Sequence, residues 1–209
     1  MSADLDRATT RNFLEGLRSF VATFEAQRDA AREQDALLIT ESREHHAHAI
    51  PFGELVTRLQ YYSFVVLLTA TLEARLAVYC RTLCQEHGIS YTISGADGSF
   101  IDRVRDFLKE VIQAQAPTEM WRWMEDLAVL RTCIADAAGN PSLLVPTARR
   151  KVESVVRRRS GLALDRDHLL FSRSLPLPQH AETVLVVRRE FCWDAVTAVQ
   201  GLFGYLYQD

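Results

Sequence analysis

Arg131 is the residue around which chemistry could be organised, because it occupies a position where the pattern demands an apolar side chain. Met124, Leu127, Arg131, Ile134 and Ala138 share one helical face at spacings of three and four. A guanidinium there needs a carboxylate or phosphate partner, since an unpaired buried charge is strongly disfavoured. Glu73 is the matching anomaly: it interrupts the apolar stretch from Val65 to Val78, on the stripe through Val66, Ala70, Ala77 and Cys80. The two are expected to pair and to join their helices. The other reading sets each of them separately into solvent at an edge of the bundle.

A second group is basic. Arg149, Arg150 and Lys151, then Arg157, Arg158 and Arg159, form two clusters on overlapping helical faces, offset by Glu153 alone. A phosphate backbone could lie along such a stripe, which makes RNA one expected partner. Alternatively the stripe is a solvated face that meets acidic surface of this chain or of a partner subunit. The charge distribution bears on this: residues 1–140 are net −6, residues 141–189 net +6, and the whole chain net −3. All the basic residues but Lys109 and Lys151 are Arg, the better bidentate phosphate ligand, although genome base composition produces the same bias.

Other constellations are weaker. Glu44, His45, His46 and His48 place only Glu44 and His48 one helical turn apart, and Pro51 follows closely, so a polar helix end or loop is expected there and no metal site. Cys80 and Cys84 are one turn apart without a second pair, and with Cys133 and Cys192 they read as buried thiols in a reducing compartment. There is no Gly-rich phosphate loop, no Gly-x-Ser-x-Gly elbow and no nucleotide fingerprint, hence no expected cofactor. Trp121 and Trp123 cannot both face the core, which leaves one for a groove or a subunit interface.

The elements that must position these residues follow from periodicity and from Gly/Pro punctuation. With 209 residues, 48% hydrophobic and 24% charged, the chain is expected to form a single globular domain over 1–209. The spacing predicts a long amphipathic helix from Thr10 to about Thr40 and a very apolar one from Phe52 to Gly88. A third is capped by Ser99 and buries Ile101, Val104, Phe107, Leu108 and Val111, and a fourth opens at Pro117 and stops at Gly139. A basic helix over about 147–159 follows, then a short hairpin near 161–172 whose strands, Leu162–Leu164 and His168–Phe171, flank a turn at Asp165, Arg166 and Asp167. A last helix runs from about Ala181 to Leu206, made aromatic-rich by Phe191, Trp193, Phe203, Tyr205 and Tyr207. The expected fold class is all-α, a bundle of about six helices with at most that hairpin. The N-terminus lacks the order of a signal peptide, and the densest apolar run, Phe64–Ala70, is shorter than a membrane span, so a cytoplasmic protein away from membranes is expected.

The long helix, the apolar helix with Ala70-Thr71-Leu72-Glu73-Ala74, and the Trp-bearing helix ending in Leu130-Arg131-Thr132-Cys133-Ile134-Ala135-Asp136-Ala137-Ala138-Gly139-Asn140 resemble a HEPN domain over about residues 10–206. The resemblance implies a helical bundle that dimerises and brings together two copies of an Arg-x4-6-His motif as a metal-independent endoribonuclease site. By the same resemblance the setting would be bacterial defence or a toxin–antitoxin pair. Arg131 matches the motif Arg and Thr132 its polar slot, but the His slot holds Asp136.

Cleavage of RNA through its own 2′-hydroxyl needs a base, an acid and a cation for the phosphorane. Imidazole suits either proton role near neutrality, whereas an ordinary Asp is ionised at pH 7, a poor acid that also repels phosphate. Two carboxylates close together in an apolar pocket could push one proton back on, but the adjacent guanidinium would oppose that. The sequence therefore leads to a degenerate nuclease site and a non-catalytic role, binding RNA or a protein partner as a homodimer. An endoribonuclease using Arg131 and Asp136 is the alternative, and a purely structural helical bundle the second alternative.

Overall fold

In a computed structural model of the chain, residues 3–41, 52–90, 98–111, 113, 116–166 and 183–207 are described. They form six helices and one small sheet: α1 (Ala3–Glu41), α2 (Phe52–His87), α3 (Phe100–Val111), α4 (Thr118–Ala137), α5 (Pro146–Arg158), β1 (Leu162–Arg166), β2 (Thr183–Val187) and α6 (Arg189–Leu206). A single 3-10 turn, Pro141–Leu143, joins α4 to α5. The chain is an all-α bundle with a short two-stranded antiparallel sheet.

Helix α2 is the hub of the bundle, packing against α1, α3, α4 and α6. Phe64, Leu68, Leu72 and Leu76, spaced by four, are fully buried. Helix α4 supplies the facing layer through Met124, Leu127 and Leu130, and α6 adds Phe191, Ala195, Val199 and Leu202. Helix α3 begins as its sequence predicts: Ser99 Oγ accepts from Asp102 N at 3.2 Å and Asp102 Oδ2 accepts from Ser99 N at the same distance, a reciprocal cap that satisfies two otherwise orphaned donors. Ile101, Val104, Phe107 and Leu108 then form its buried stripe.

The sheet differs from its expected form. Asp165 and Arg166 are strand residues rather than a turn, and β1 pairs with Thr183–Val187 in the register Leu162↔Val187 to Arg166↔Thr183. His168–Phe171, expected as the second strand, lies outside the described residues. The last helix accordingly starts at Arg189, because Val184, Leu185 and Val187 are taken by β2 and buried as β-branched and leucine side chains against the bundle.

Two glycines fix this end of the molecule. Helix α4 ends with Ala138 in the left-handed region (φ 49°) and Gly139 beyond it (φ 81°), and Gly139 O accepts from Leu185 N at 2.7 Å. A Cβ on Gly139 would collide with the Tyr62 hydroxyl, which itself donates to Leu185 O at 2.5 Å. Gly161 (φ 73°) turns α5 into β1, and a Cβ there would lie 2.5 Å from Phe191 N. The αL stop at the end of the Arg131 helix thus seats β2 on α2 and α4.

Candidate functional site

Helix α4 carries Arg131, Thr132, Asp136 and both singled-out tryptophans, and makes polar contacts on two of its sides. On one side Arg131 Nη1 donates to both Glu73 carboxylate oxygens at 3.4 Å. Their side chains retain 43% and 26% of their exposure, so the pair joins α4 to α2 at the surface margin of the bundle rather than in its core. At 3.4 Å the contact is longer than a tight charge-assisted hydrogen bond of about 2.7–2.9 Å. Asp136 is exposed near the helix end. Five residues of α-helix rotate it by about 140° from Arg131, so the two project from different sides of α4. Thr132 Oγ1 is turned back onto its own helix, donating to Ala128 O at 3.0 Å.

The motif thus contributes a cation already engaged by a carboxylate, an exposed Asp pointing elsewhere and a hydroxyl bonded to backbone. His87, exposed at the end of α2, is the one His among the described residues. His168 and His180, which could in principle bring an imidazole back to Arg131, lie outside them, as do Glu44, His45, His46 and His48. No cluster of three potential metal ligands occurs among the described residues.

The other side of α4 holds what the sequence reading missed. Asp126 is buried, its side chain 3% exposed, and receives two arginines of the basic helix. Arg158 reaches its two oxygens at 2.5 and 3.2 Å, and Arg159 Nε donates to Oδ2 at 2.7 Å. Arg159 is itself buried, bonds Glu119 at 2.7 Å through Nη1 and places its guanidinium carbon 3.8 Å from the centre of the Trp123 ring. Hydrogen bonding to Asp126 pushes the Arg158 pKa up, and the Arg159 contact holds Glu119 below the usual carboxylate range. A signal for Asp126 existed in the sequence: it stands three residues after Trp123 and four before Leu130, on the buried face.

The six basic residues therefore do not form one stripe. Arg158 and Arg159 tie α5 to α4, and Arg149 is paired with Glu153 at 2.9 Å. Arg150, Lys151 and Arg157 remain exposed. Between α3, α4 and α5 lies a groove of about 520 Å³, lined by Asp102, Glu125, Asp126, Thr132, Lys151 and Arg158 among others. Arg105 on its rim bridges Asp102 at 2.9 Å and Glu125 at 2.6 Å, and the Ser99 hydroxyl, foremost, holds the Asp102 carboxyl below its ordinary value. Its three carboxylates, Asp102, Glu125 and Asp126, are thus each engaged by an arginine. Leu143 and Val145, which flank Leu144 on the wall of this groove, are exposed apolar side chains.

The tryptophans separate as their spacing requires: Trp121 is buried, and Trp123 is half-buried between Arg159 and Phe191. Cys80, Cys133 and Cys192 are buried free thiols and Cys84 is half-buried. Burial pushes Cys80 and Cys133 up to about 12 and raises Cys192 as well, so these three are not poised as nucleophiles. One helix segment, Leu55–His87 of α2, is long and apolar enough by length and composition to cross a membrane, although its short densest run did not suggest it. The core helix of a bundle meets the same description. Comparison with family profiles, curated proteins and solved structures finds no match to this chain.

Proposed function

We propose that this protein is a HEPN-like bundle with a degenerate nuclease motif, acting in the cytoplasm without catalysis as an interaction module, as a homodimer. The observation that supports this reading is the state of the two motif positions: Arg131 is already engaged by Glu73 at 3.4 Å, and the exposed residue five positions on is Asp136, a carboxylate where either proton role near neutrality calls for an imidazole. The exposed apolar Leu143 and Val145 beside a groove whose carboxylates are already engaged favour a protein partner.

Incubating the purified protein with structured and unstructured RNA in EDTA tests it. No cleavage is expected. Cleavage that disappears in Arg131→Ala would establish the endoribonuclease reading instead, and cleavage gained by Asp136→His would mark a nuclease scaffold lacking one group.

A second reading, RNA association without cleavage, draws support from exposed Arg150, Lys151 and Arg157, of which Arg150 and Arg157 share a helical face seven residues apart. Salt-dependent RNA binding lost on reversing the charge of these three residues would favour it. Arg158 and Arg159 are unsuitable for that test, because changing them disturbs the packing of α5 on α4.

A further inference from the structure

Helices α1 and α6 pack together along a cleft of about 400 Å³ that no residue of the Arg131 segment or of the basic helix lines. Arg7, Arg11 and Arg18 line it from α1, at spacings of four and seven that keep them on one face. Among the described lining residues Glu15 is the one acidic group, and it contacts Arg11 at 3.5 Å where both are well exposed. The cleft therefore holds an excess of positive charge within the acidic part of the chain, residues 1–140, which is net −6.

Two residues lining this cleft each hold a buried polar atom with no hydrogen-bond partner among the described residues: Thr10 Oγ1, on a residue only 3% exposed, and Arg18 Nε. Buried donors and acceptors are ordinarily satisfied, so two orphans on one cleft point to a group that would complete them. On the α6 side Gly204 leaves the space open. A Cβ there would meet nothing within 4 Å, so neither close helix packing nor a positive φ requires glycine in mid-helix. The Tyr207 and Phe203 rings, stacked at 6.0 Å, wall the apolar end.

We propose that the α1–α6 cleft is a binding site for a small phosphate-bearing molecule, held by Arg7, Arg11 and Arg18 with the Thr10 hydroxyl completing its hydrogen bonds. Guanidinium groups in forks are the side chains best matched to phosphate oxygens, and the volume suits a small-molecule ligand. The same phosphate chemistry could be presented by a soluble compound or by a lipid headgroup. The inference is independent of whether the protein cleaves or binds RNA.

Calorimetric titration of the full chain with inorganic pyrophosphate at low salt is one arm of the test, and co-sedimentation with phosphatidic acid–phosphatidylcholine vesicles the other. Saturable pyrophosphate binding is expected, weakened at least ten-fold in Arg7→Gln/Arg18→Gln and in Gly204→Leu, which fills the cleft without removing charge. Arg150→Gln/Arg157→Gln is expected to bind as the parent does. Vesicle binding alone, lost in the same cleft variants, would assign the site to a headgroup. Binding to neither probe, binding undiminished in the cleft variants, or binding of a ribo-oligonucleotide alone would overturn the proposal. Thermal melts by circular dichroism verify folding. If the arginine pair fails to fold, Gly204→Leu and the single Arg7→Gln decide.

Discussion

The Arg159 guanidinium lies 2.7 Å from Asp126 Oδ2 with both side chains more than nine-tenths buried, and it covers the Trp123 ring at 3.8 Å. This contact makes the basic helix an integral layer of the bundle. Removing one member of a buried pair leaves the other charged and desolvated, which costs about 3–5 kcal/mol. Asp126→Ala leaves Arg159 with only the exposed Glu119 as partner and releases Arg158, so it is expected to lower unfolding stability by about 3 kcal/mol, the lower end of that range, in urea titrations. Arg159→Met is expected to be milder, since Arg158 still neutralises Asp126 and the thioether still packs on Trp123.

The Glu73–Arg131 contact predicts the opposite scale. Its 3.4 Å separation and partial exposure set it among surface pairs, which contribute about 0–1 kcal/mol. A double-mutant cycle on Glu73→Gln and Arg131→Met, read by urea denaturation, is expected to give a favourable coupling below about 1 kcal/mol. A coupling above about 2 kcal/mol would require a tighter, more enclosed pair than this one.

Acid lability follows from two carboxylates. The Ser99 hydroxyl holds Asp102 below its ordinary value, and Arg159 does the same for Glu119. Because folding lowers both pKa values, their stabilisation is present above their unfolded values of about 3.9 and 4.3 and is lost as pH falls through the lower folded ones. Both are more than a third exposed, so the effect is screened to below about 1 kcal/mol. The Asp102→Asn/Glu119→Gln variant is expected to show a flatter dependence of stability on pH below about 4 than the parent.

Glycines separate packing from vacancy. Gly204→Ala is expected to raise the melting stability by up to about 1 kcal/mol, because its methyl meets no atom and alanine is the better helix former. Gly139→Ala is expected to lower it by more than that, since φ is 81° and the methyl would strike the Tyr62 hydroxyl.

All six helices were legible in the sequence, five from apolar stripes and α5 from its run of basic residues, although α1 begins earlier and α6 later than the pattern indicated. The Ser99 cap and the Gly139 stop were recognisable for equally local reasons. What escaped was non-local. Thr183–Val187 alternates too little to distinguish a strand from the start of a helix, and only its pairing with Leu162–Arg166 decides. Asp126 is an ordinary surface residue by type, and its burial depends on arginines some thirty positions away in sequence. Met124, Leu127 and Ile134 are buried as their spacing predicts, whereas Arg131 on the same pattern is part-exposed and Ala138 lies beyond the helix, because spacing does not reveal where a bundle's core ends and its margin begins. The α1–α6 cleft was invisible in the same way, since Arg7, Arg11 and Arg18 resemble any solvated charge until Gly204 and Tyr207 are set opposite them.

Helices α1 and α6 are the earliest and latest in the described chain, and their contact closes the longest loop in the bundle. Loop closure of that length is entropically late, so this seam is expected to form after the α2–α4 centre has condensed. Any compound that settles in the seam would bind only the finished bundle and would draw the folding equilibrium towards it. A chain interrupted before α6 would present the same three arginines on an open helix, with no opposing wall to hold what they attract.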